Sequence, residues 1–188
     1  MNQIYVISAP SGAGKSTILK RVLETNPQLT LSVSCTTRKP RPGEQHGREY
    51  YFLEKEDFKN KIEQNDFLEY AQVFDNFYGT LKSEIDRSFS EGKSLILEID
   101  VQGARLVREA LKDSPLKEKL QFIFITPPSL EILEKRLRDR GTETEEIIQK
   151  RLSEAAGEMS AAPEYDEKVI NHDLDQAVAQ MKTLLSGE

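Results

Sequence analysis

Ala9-Pro10-Ser11-Gly12-Ala13-Gly14-Lys15-Ser16 is the stretch whose reading decides the fold. It follows the pattern G-x-x-x-x-G-K-[ST], with Ala9 in place of the first glycine. The apolar run Ile4-Tyr5-Val6-Ile7 ahead of it reads as a short buried strand. The stretch from Lys15 to about Thr25 behind it carries Ile18, Leu19, Val22 and Leu23 at helical spacing. Strand, glycine turn and helix in this order make a phosphate cradle. Gly12 and Gly14 allow the backbone angles that turn successive N–H groups inward. Those donors and the helix N-terminus suit phosphate oxygens. Lys15 is expected on the β- and γ-phosphates of a nucleoside triphosphate and the Ser16 hydroxyl on Mg²⁺, with Thr17 as a further hydroxyl. The cradle does not name the acceptor of a phosphoryl group.

Outward from the cradle, strands and helices alternate to the end of the chain, which points to a mostly parallel sheet covered by helices on both faces. Leu95–Asp100, Gln121–Ile125 and Lys168–Asn171 read as further strands. Gln102 to Leu111, Leu130 to Arg138, Thr144 to Met159 and a last helix through Val178, Met181 and Leu185 fill the gaps. Thr142 with Glu145, and Asp173 with Gln176, fit capping boxes ahead of the last two helices. Between Thr30 and Thr80 the pattern changes. Thr30–Cys35, Glu49–Leu53, Phe67–Phe74 and Asn76–Thr80 read as β-segments, interrupted by one helix from about Lys55 to Gln64. This is a β-rich insertion, large enough to hold a second ligand. The expected division is a core of 1–33, 83–125 and 160–188, a lobe of about 34–82 and a helical lid of about 126–159.

The chain has 188 residues, enough for one compact α/β domain, and carries a formal charge of −6. That balance disfavours a broad nucleic-acid footprint, which wants a basic surface. Positive charge gathers in two places, at Arg38, Lys39, Arg41 and Arg48 and at Lys135, Arg136, Arg138 and Arg140. No apolar run approaches the roughly 20 residues of a membrane span. Met1-Asn2-Gln3 lacks the basic start of a secretory leader, so a cytoplasmic location is expected. The single cysteine, Cys35, forbids an internal disulfide and reads as a half-buried residue at a strand end. His46 and His172 have no metal-like spacing with it.

Ser34-Cys35-Thr36-Thr37-Arg38-Lys39-Pro40-Arg41-Pro42-Gly43-Glu44 resembles the signature S-x-T-T-R-x-P-R-x-G-E of guanylate kinases. Tyr50-Tyr51-Phe52, Phe67-Leu68-Glu69, Tyr78-Gly79-Thr80, Leu97 to Gly103, Arg136 to Gly141 and Val169-Ile170-Asn171 fit the same family in order and spacing, so the resemblance covers essentially the whole chain. It implies transfer of the γ-phosphoryl of ATP to GMP, with Mg²⁺ as cofactor and ATP and GMP as small-molecule ligands. Ala9 to Thr17 and Asn171 would bind ATP. Ser34, Arg38, Arg41, Tyr50, Glu69, Tyr78, Thr80 and Asp100 would bind GMP. Lys15, Arg38, Arg136, Arg140 and Arg151 would be the catalytic cations. Arg38 and Arg41 can hold a phosphate in a fork. A carboxylate at Glu69 can accept from both N1–H and the 2-amino group of guanine, which adenine cannot offer. Ser34 and Thr80 can donate to guanine O6. Asp100 would order Mg²⁺ waters or touch GMP. Glu98 is open to a packing or a solvated role. Asn171-His172-Asp173 departs from the family's usual Asn-Asp-Asp, and Ala162 to Lys168 lacks an aromatic often present there; both departures bear on adenine binding.

Two alternatives share parts of this pattern. Guanylate-kinase-like domains of scaffold proteins bind phosphopeptides without catalysis, but their cradles are typically degraded and they are joined to other domains. A small P-loop sugar-phosphate kinase would need no guanine selector. Lys15 and Ser16 argue against the first, and Ser34, Glu69 and Thr80 against the second. A homo-oligomer stays open.

Overall fold

The structure, a computed structural model, describes residues 2–139 and 144–186. In chain order the strands are β1 (Ile4–Ser8), β2 (Leu29–Leu31), β3 (Ser34–Thr36), β4 (Tyr50–Phe52), β5 (Phe67–Val73), β6 (Asn76–Leu81), β7 (Ser94–Glu98), β8 (Leu120–Thr126) and β9 (Glu167–Ile170). The helices are α1 (Lys15–Leu23), α2 (Lys55–Glu63), α3 (Ser83–Ser90), α4 (Val101–Leu111), α5 (Leu130–Asp139), α6 (Glu145–Met159) and α7 (Leu174–Ser186). Hydrogen bonding orders five strands as β2-β7-β1-β8-β9 and four as β4-β3-β6-β5. The β2–β7 and β8–β9 pairs are parallel. Every residue of β1 is buried, as a near-continuous apolar run in a parallel sheet should be. This is the P-loop α/β architecture expected from the sequence.

The chain groups into two compact units. One comprises 1–4, 28–98 and 102–120, and contains the four-stranded sheet; the other comprises 5–27, 99–101 and 121–188, and contains the glycine turn with α1, α5, α6 and α7. In the second unit α1 packs on α7, burying Ile18, Leu19 and Val22 on one side and Ala177, Val178 and Met181 on the other. Leu133, Leu137, Ile148 and Ala155 form a separate core for α5 and α6. In the first unit Cys35, Phe58 and Phe67 anchor the small sheet, and the Phe58 ring stacks on Phe67 at 4.4 Å and on Phe77 at 5.3 Å. Among the described residues no helix is long and apolar enough to cross a membrane.

Three expectations change, and α3 adds a helix that the sequence reading does not assign. The segment Thr30–Cys35 is two strands in two sheets: β2 stops at Leu31, Ser32 donates its N–H to the Ile96 carbonyl at 2.9 Å, and β3 begins at Ser34. Cys35 is fully buried, at 0 % exposure, because β3 packs it against Phe58 and Phe67. Helix α3 carries Ile85 and Phe89 four residues apart, yet two of its three buried residues, Glu84 and Ser88, are polar. Helix α6 starts at Glu145 with Thr144 as its cap, so Glu145 cannot be the third residue of a box; Thr142 itself lies outside the described residues. The other cap holds: the Gln176 N–H donates to Asp173 Oδ1 at 3.0 Å at the start of α7.

Candidate active site

The phosphate cradle follows directly from β1. Ala13 donates its N–H to the Pro10 carbonyl at 3.0 Å, and Gly12 and Gly14 take φ of 88° and 95°, a left-handed conformation that other residues reach at a cost. Asn171, 6 % exposed, donates its side-chain amide to the Ala13 carbonyl at 2.7 Å. A Cβ on Gly14 would lie 2.5 Å from that amide nitrogen. Asn171 thus braces the turn from the end of β9. Lys15 reaches the Ile99 carbonyl at 3.5 Å, and the Ser8 hydroxyl donates to the Asp100 carbonyl at 3.3 Å, so Asp100 sits beside the end of β1. Ser16 and Thr17 lie exposed in the first turn of α1, and Asp100 is exposed too. A hydroxyl and a carboxylate are hard oxygen donors. They fit Mg²⁺, which takes one or two protein oxygens, several waters and phosphate oxygens.

The helices α5 and α6 bring two arginines to the cradle. Arg136 donates to the backbone carbonyls of Asn171 at 2.8 Å and His172 at 3.3 Å. Arg151 donates to the Ser11 hydroxyl at 3.2 Å. Arg140 lies outside the described residues. Arg138 is engaged elsewhere, with Glu134 and Glu145. A pocket of about 360 Å³ opens between the turn, α5 and the start of α7, lined by Gly12, Gly14, Thr17, Arg136, Asp139, Asn171 and Leu174. Its size suits a nucleotide base or sugar. Leu174 carries no motif that would have singled it out, and Asp139 lies within the Arg136 to Gly141 motif, which gave it no role. Nor did Glu158, whose carboxylate accepts the Ser11 N–H at 3.3 Å; burial foremost, then Asp100 and Glu154, push its pKa up, against the opposing Ser11 N–H and Lys15.

A second candidate site lies in the β4-β3-β6-β5 sheet and divides into two corners. At one corner, Glu44 binds Arg38 in a two-pronged contact, 2.9 Å to each nitrogen, and also accepts the Arg41 N–H at 2.7 Å. Arg38 lies over the rings of Tyr50 at 5.5 Å and Phe52 at 5.9 Å, and Tyr50 meets Tyr78 edge to face at 6.2 Å. The Arg38 guanidinium holds the Glu44 carboxyl below its ordinary range, and Glu44 raises Arg38 in return. Burial raises the Tyr50 hydroxyl, and Tyr78 adds to the shift. Glu98 adds a smaller electrostatic push in the same direction. Arg41 is exposed.

At the other corner, Ser34 and Thr80 hydroxyls lie 3.4 Å apart. Glu69 is opposite Thr80 because β5 bulges: Phe67 pairs with Leu81 but Glu69 with Thr80, so Leu68 is the extra residue. The bulge buries both Phe67 and Leu68 and re-aims Glu69, which the alternation of the sequence could not show. Gly79 permits it, since a Cβ there would lie 2.7 Å from the Glu69 carbonyl oxygen. The sheet therefore assembles Arg38, Tyr50 and Tyr78 at one end, and Ser34, Glu69 and Thr80 at the other.

A lysine-bearing glycine turn on a parallel sheet, with a basic and acidic lobe inserted after β2, defines a P-loop kinase that acts on a nucleotide. The sequence profile described as Guanylate kinase matches residues 1–188, and the chain belongs to the guanylate kinase family. It is 47 % identical over 181 residues to a guanylate kinase of Hydrogenovibrio crunogenus, covering 96 % of this chain and 85 % of that protein. Against the guanylate kinase of Escherichia coli K12 it is 43 % identical over 187 residues, covering 98 % and 87 %. The crystal structure of guanylate kinase from Anaplasma phagocytophilum superposes with a TM-score of 0.73 at 33 % identity, covering 99 % of this chain and 85 % of that one.

Proposed function

We propose that the chain transfers the γ-phosphoryl of ATP to GMP, giving ADP and GDP. The observation that carries the assignment is the bulge that sets Glu69 opposite Thr80, beside Ser34, within the family's full-length match. Guanine presents two adjacent donors to a carboxylate and an acceptor, O6, to hydroxyls. The Arg38–Tyr50–Tyr78 corner would take the GMP phosphate, with Arg41 closing on it from the loop that Glu44 fixes.

The acceptor oxygen of GMP is already anionic at neutral pH, so no strong general base is needed. The obstacle is repulsion between two phosphate groups that must meet in line. Lys15 and the backbone donors of Gly12, Gly14 and the start of α1 would hold the donor phosphates. Arg38 and Arg41 would hold the acceptor. Arg136, Arg140 and Arg151 would offset charge on the transferring group. Ser16 would hold Mg²⁺ directly and Asp100 through water; when bound, the ion neutralises the β- and γ-phosphates. Arg136 and Arg151 already reach the cradle region, and their contacts with Asn171 and Ser11 would be exchanged for nucleotide as water is excluded. Asn171 bracing the Ala13 carbonyl supports a structural share in ATP binding as well as any contact with the base.

The test is an ADP-release assay with ATP, Mg²⁺ and each of GMP, AMP, CMP, UMP and IMP. Turnover should be strong with GMP, weaker with IMP, which lacks the 2-amino group, and least with the others. In Glu69→Ala the gap between GMP and IMP should narrow. A folded protein that binds GMP yet turns over none of the five would instead be a binding module.

A further inference from the structure

Glu84 is a charged residue in a place where charge is costly. It is 2 % exposed, on the inner side of α3, and nothing in the phosphoryl transfer uses it. Both carboxylate oxygens are engaged twice. Oε2 accepts the Val33 N–H at 2.7 Å and Arg87 Nη2 at 2.8 Å. Oε1 accepts the Tyr51 hydroxyl at 3.1 Å and Arg87 Nε at 3.2 Å. Arg87 Nη2 also reaches the Leu31 carbonyl at 3.3 Å. The pair therefore grips the backbone at residues 31 and 33, where the chain leaves β2 for β3.

A buried ion pair is weak support for stability, since apolar side chains of similar volume usually serve as well. What the carboxylate supplies here is position. Strand β3 has three residues, and its register with β6 begins only at Cys35, opposite Gly79. Ser34 lies outside that pairing, and the backbone bond on its N-terminal side is the one from Val33 to Glu84. On the other flank Ser34 pairs with Tyr50, whose neighbour Tyr51 gives its hydroxyl to the same carboxylate.

We propose that Glu84 is a positioning residue for GMP: it fixes the Val33–Ser34 backbone and the Tyr50–Tyr51 edge so that the Ser34 hydroxyl stays beside Thr80. The inference rests on the assignment of this lobe to GMP. Its test is the dissociation constant and KM for GMP, alongside the KM for ATP, in wild type, Glu84→Gln and Tyr51→Phe. Glu84→Gln keeps the volume but leaves one acceptor oxygen where there were two. It should weaken GMP about tenfold while the KM for ATP stays within about twofold, the scale of one charged hydrogen bond. Ser34→Ala should cost much less in the Glu84→Gln background than alone, because residues acting through one another are not additive. A merely structural loss would raise both KM values together and leave Ser34→Ala additive. Either of those results, or unchanged GMP affinity in folded Glu84→Gln, overturns the proposal. If Glu84→Gln does not fold, Tyr51→Phe decides: it removes one donor, keeps the ring, and should weaken GMP about threefold with ATP unaffected. No change there overturns the proposal too. A wild-type protein that does not turn over GMP would sink the functional assignment instead.

Discussion

Lys15 is a side chain expected to matter to chemistry and hardly at all to folding. Its ammonium makes a long contact with the Ile99 carbonyl, while α1 is held by Ile18, Leu19 and Val22 farther along the helix. On the proposed mechanism, removing it would take a preorganised positive charge from the phosphates and no packing from the core. Lys15→Ala should lower kcat by about a hundredfold or more, with its urea midpoint close to wild type. Steady-state kinetics beside an unfolding curve check both halves, and near-wild-type turnover would remove Lys15 from the mechanism. Arg38 is the contrasting case. Its guanidinium is already gripped by Glu44 and lies over two rings, so its geometry is set without a ligand, as the proposed phosphate contact would want.

At the scale of elements, two glycines separate close approach from mere permissiveness. Gly79 in β6 faces the bulged β5 backbone, and a methyl there meets the Glu69 carbonyl oxygen at 2.7 Å, with Tyr70 Cβ at 2.8 Å. Neither neighbour is a flexible tip, so β5 must move. Gly79→Ala should cost about 2 kcal/mol by overpacking and should weaken GMP through Glu69. Gly157, exposed inside α6, has nothing within 4 Å of its added Cβ. There the same change should stabilise by about 0.5–1 kcal/mol, the usual helix cost of glycine. Thermal unfolding of both variants compares the two directly; equal and opposite to this order would mean that β5 yields freely.

Stability of the whole molecule should carry the mark of Cys35. Burial pushes its thiol up to about 12, whereas an unfolded cysteine ionises at about 8.5. Between those values the unfolded chain binds fewer protons than the folded one, so stability falls as pH rises, by up to about 1.4 kcal/mol per pH unit. Below that window the thiol is neutral in both states and contributes no slope. Cys35→Ala removes the slope, so the stability gap between wild type and variant should shrink by about 2 kcal/mol from pH 7 to pH 10. Urea unfolding of the pair at both pH values measures it. A constant gap would mean that the thiol is not sealed in the Phe58–Phe67 core.

The sequence by itself determined the class of fold and the chemistry. The cradle from Ala9 to Ser16 is local: a strand, two glycines and a lysine within a dozen residues act through their own backbone. The residues from Ser34 to Glu44 are nearly as local, because Glu44 turns back on Arg38 and Arg41 within one loop. The tertiary structure alone decided what depends on distant partners. It split Thr30–Cys35 between two sheets, since the bonds that end β2 and begin β3 come from Ile96 and Glu84. It set Glu69 opposite Thr80 through a bulge that no periodicity encodes. It turned Asn171 into a brace for Ala13, 158 positions away in the chain. It also buried Glu84, which alternation and charge would leave in solvent. A buried carboxylate is stable only where its donors converge, and convergence of Val33, Tyr51 and Arg87 exists only once the chain has folded.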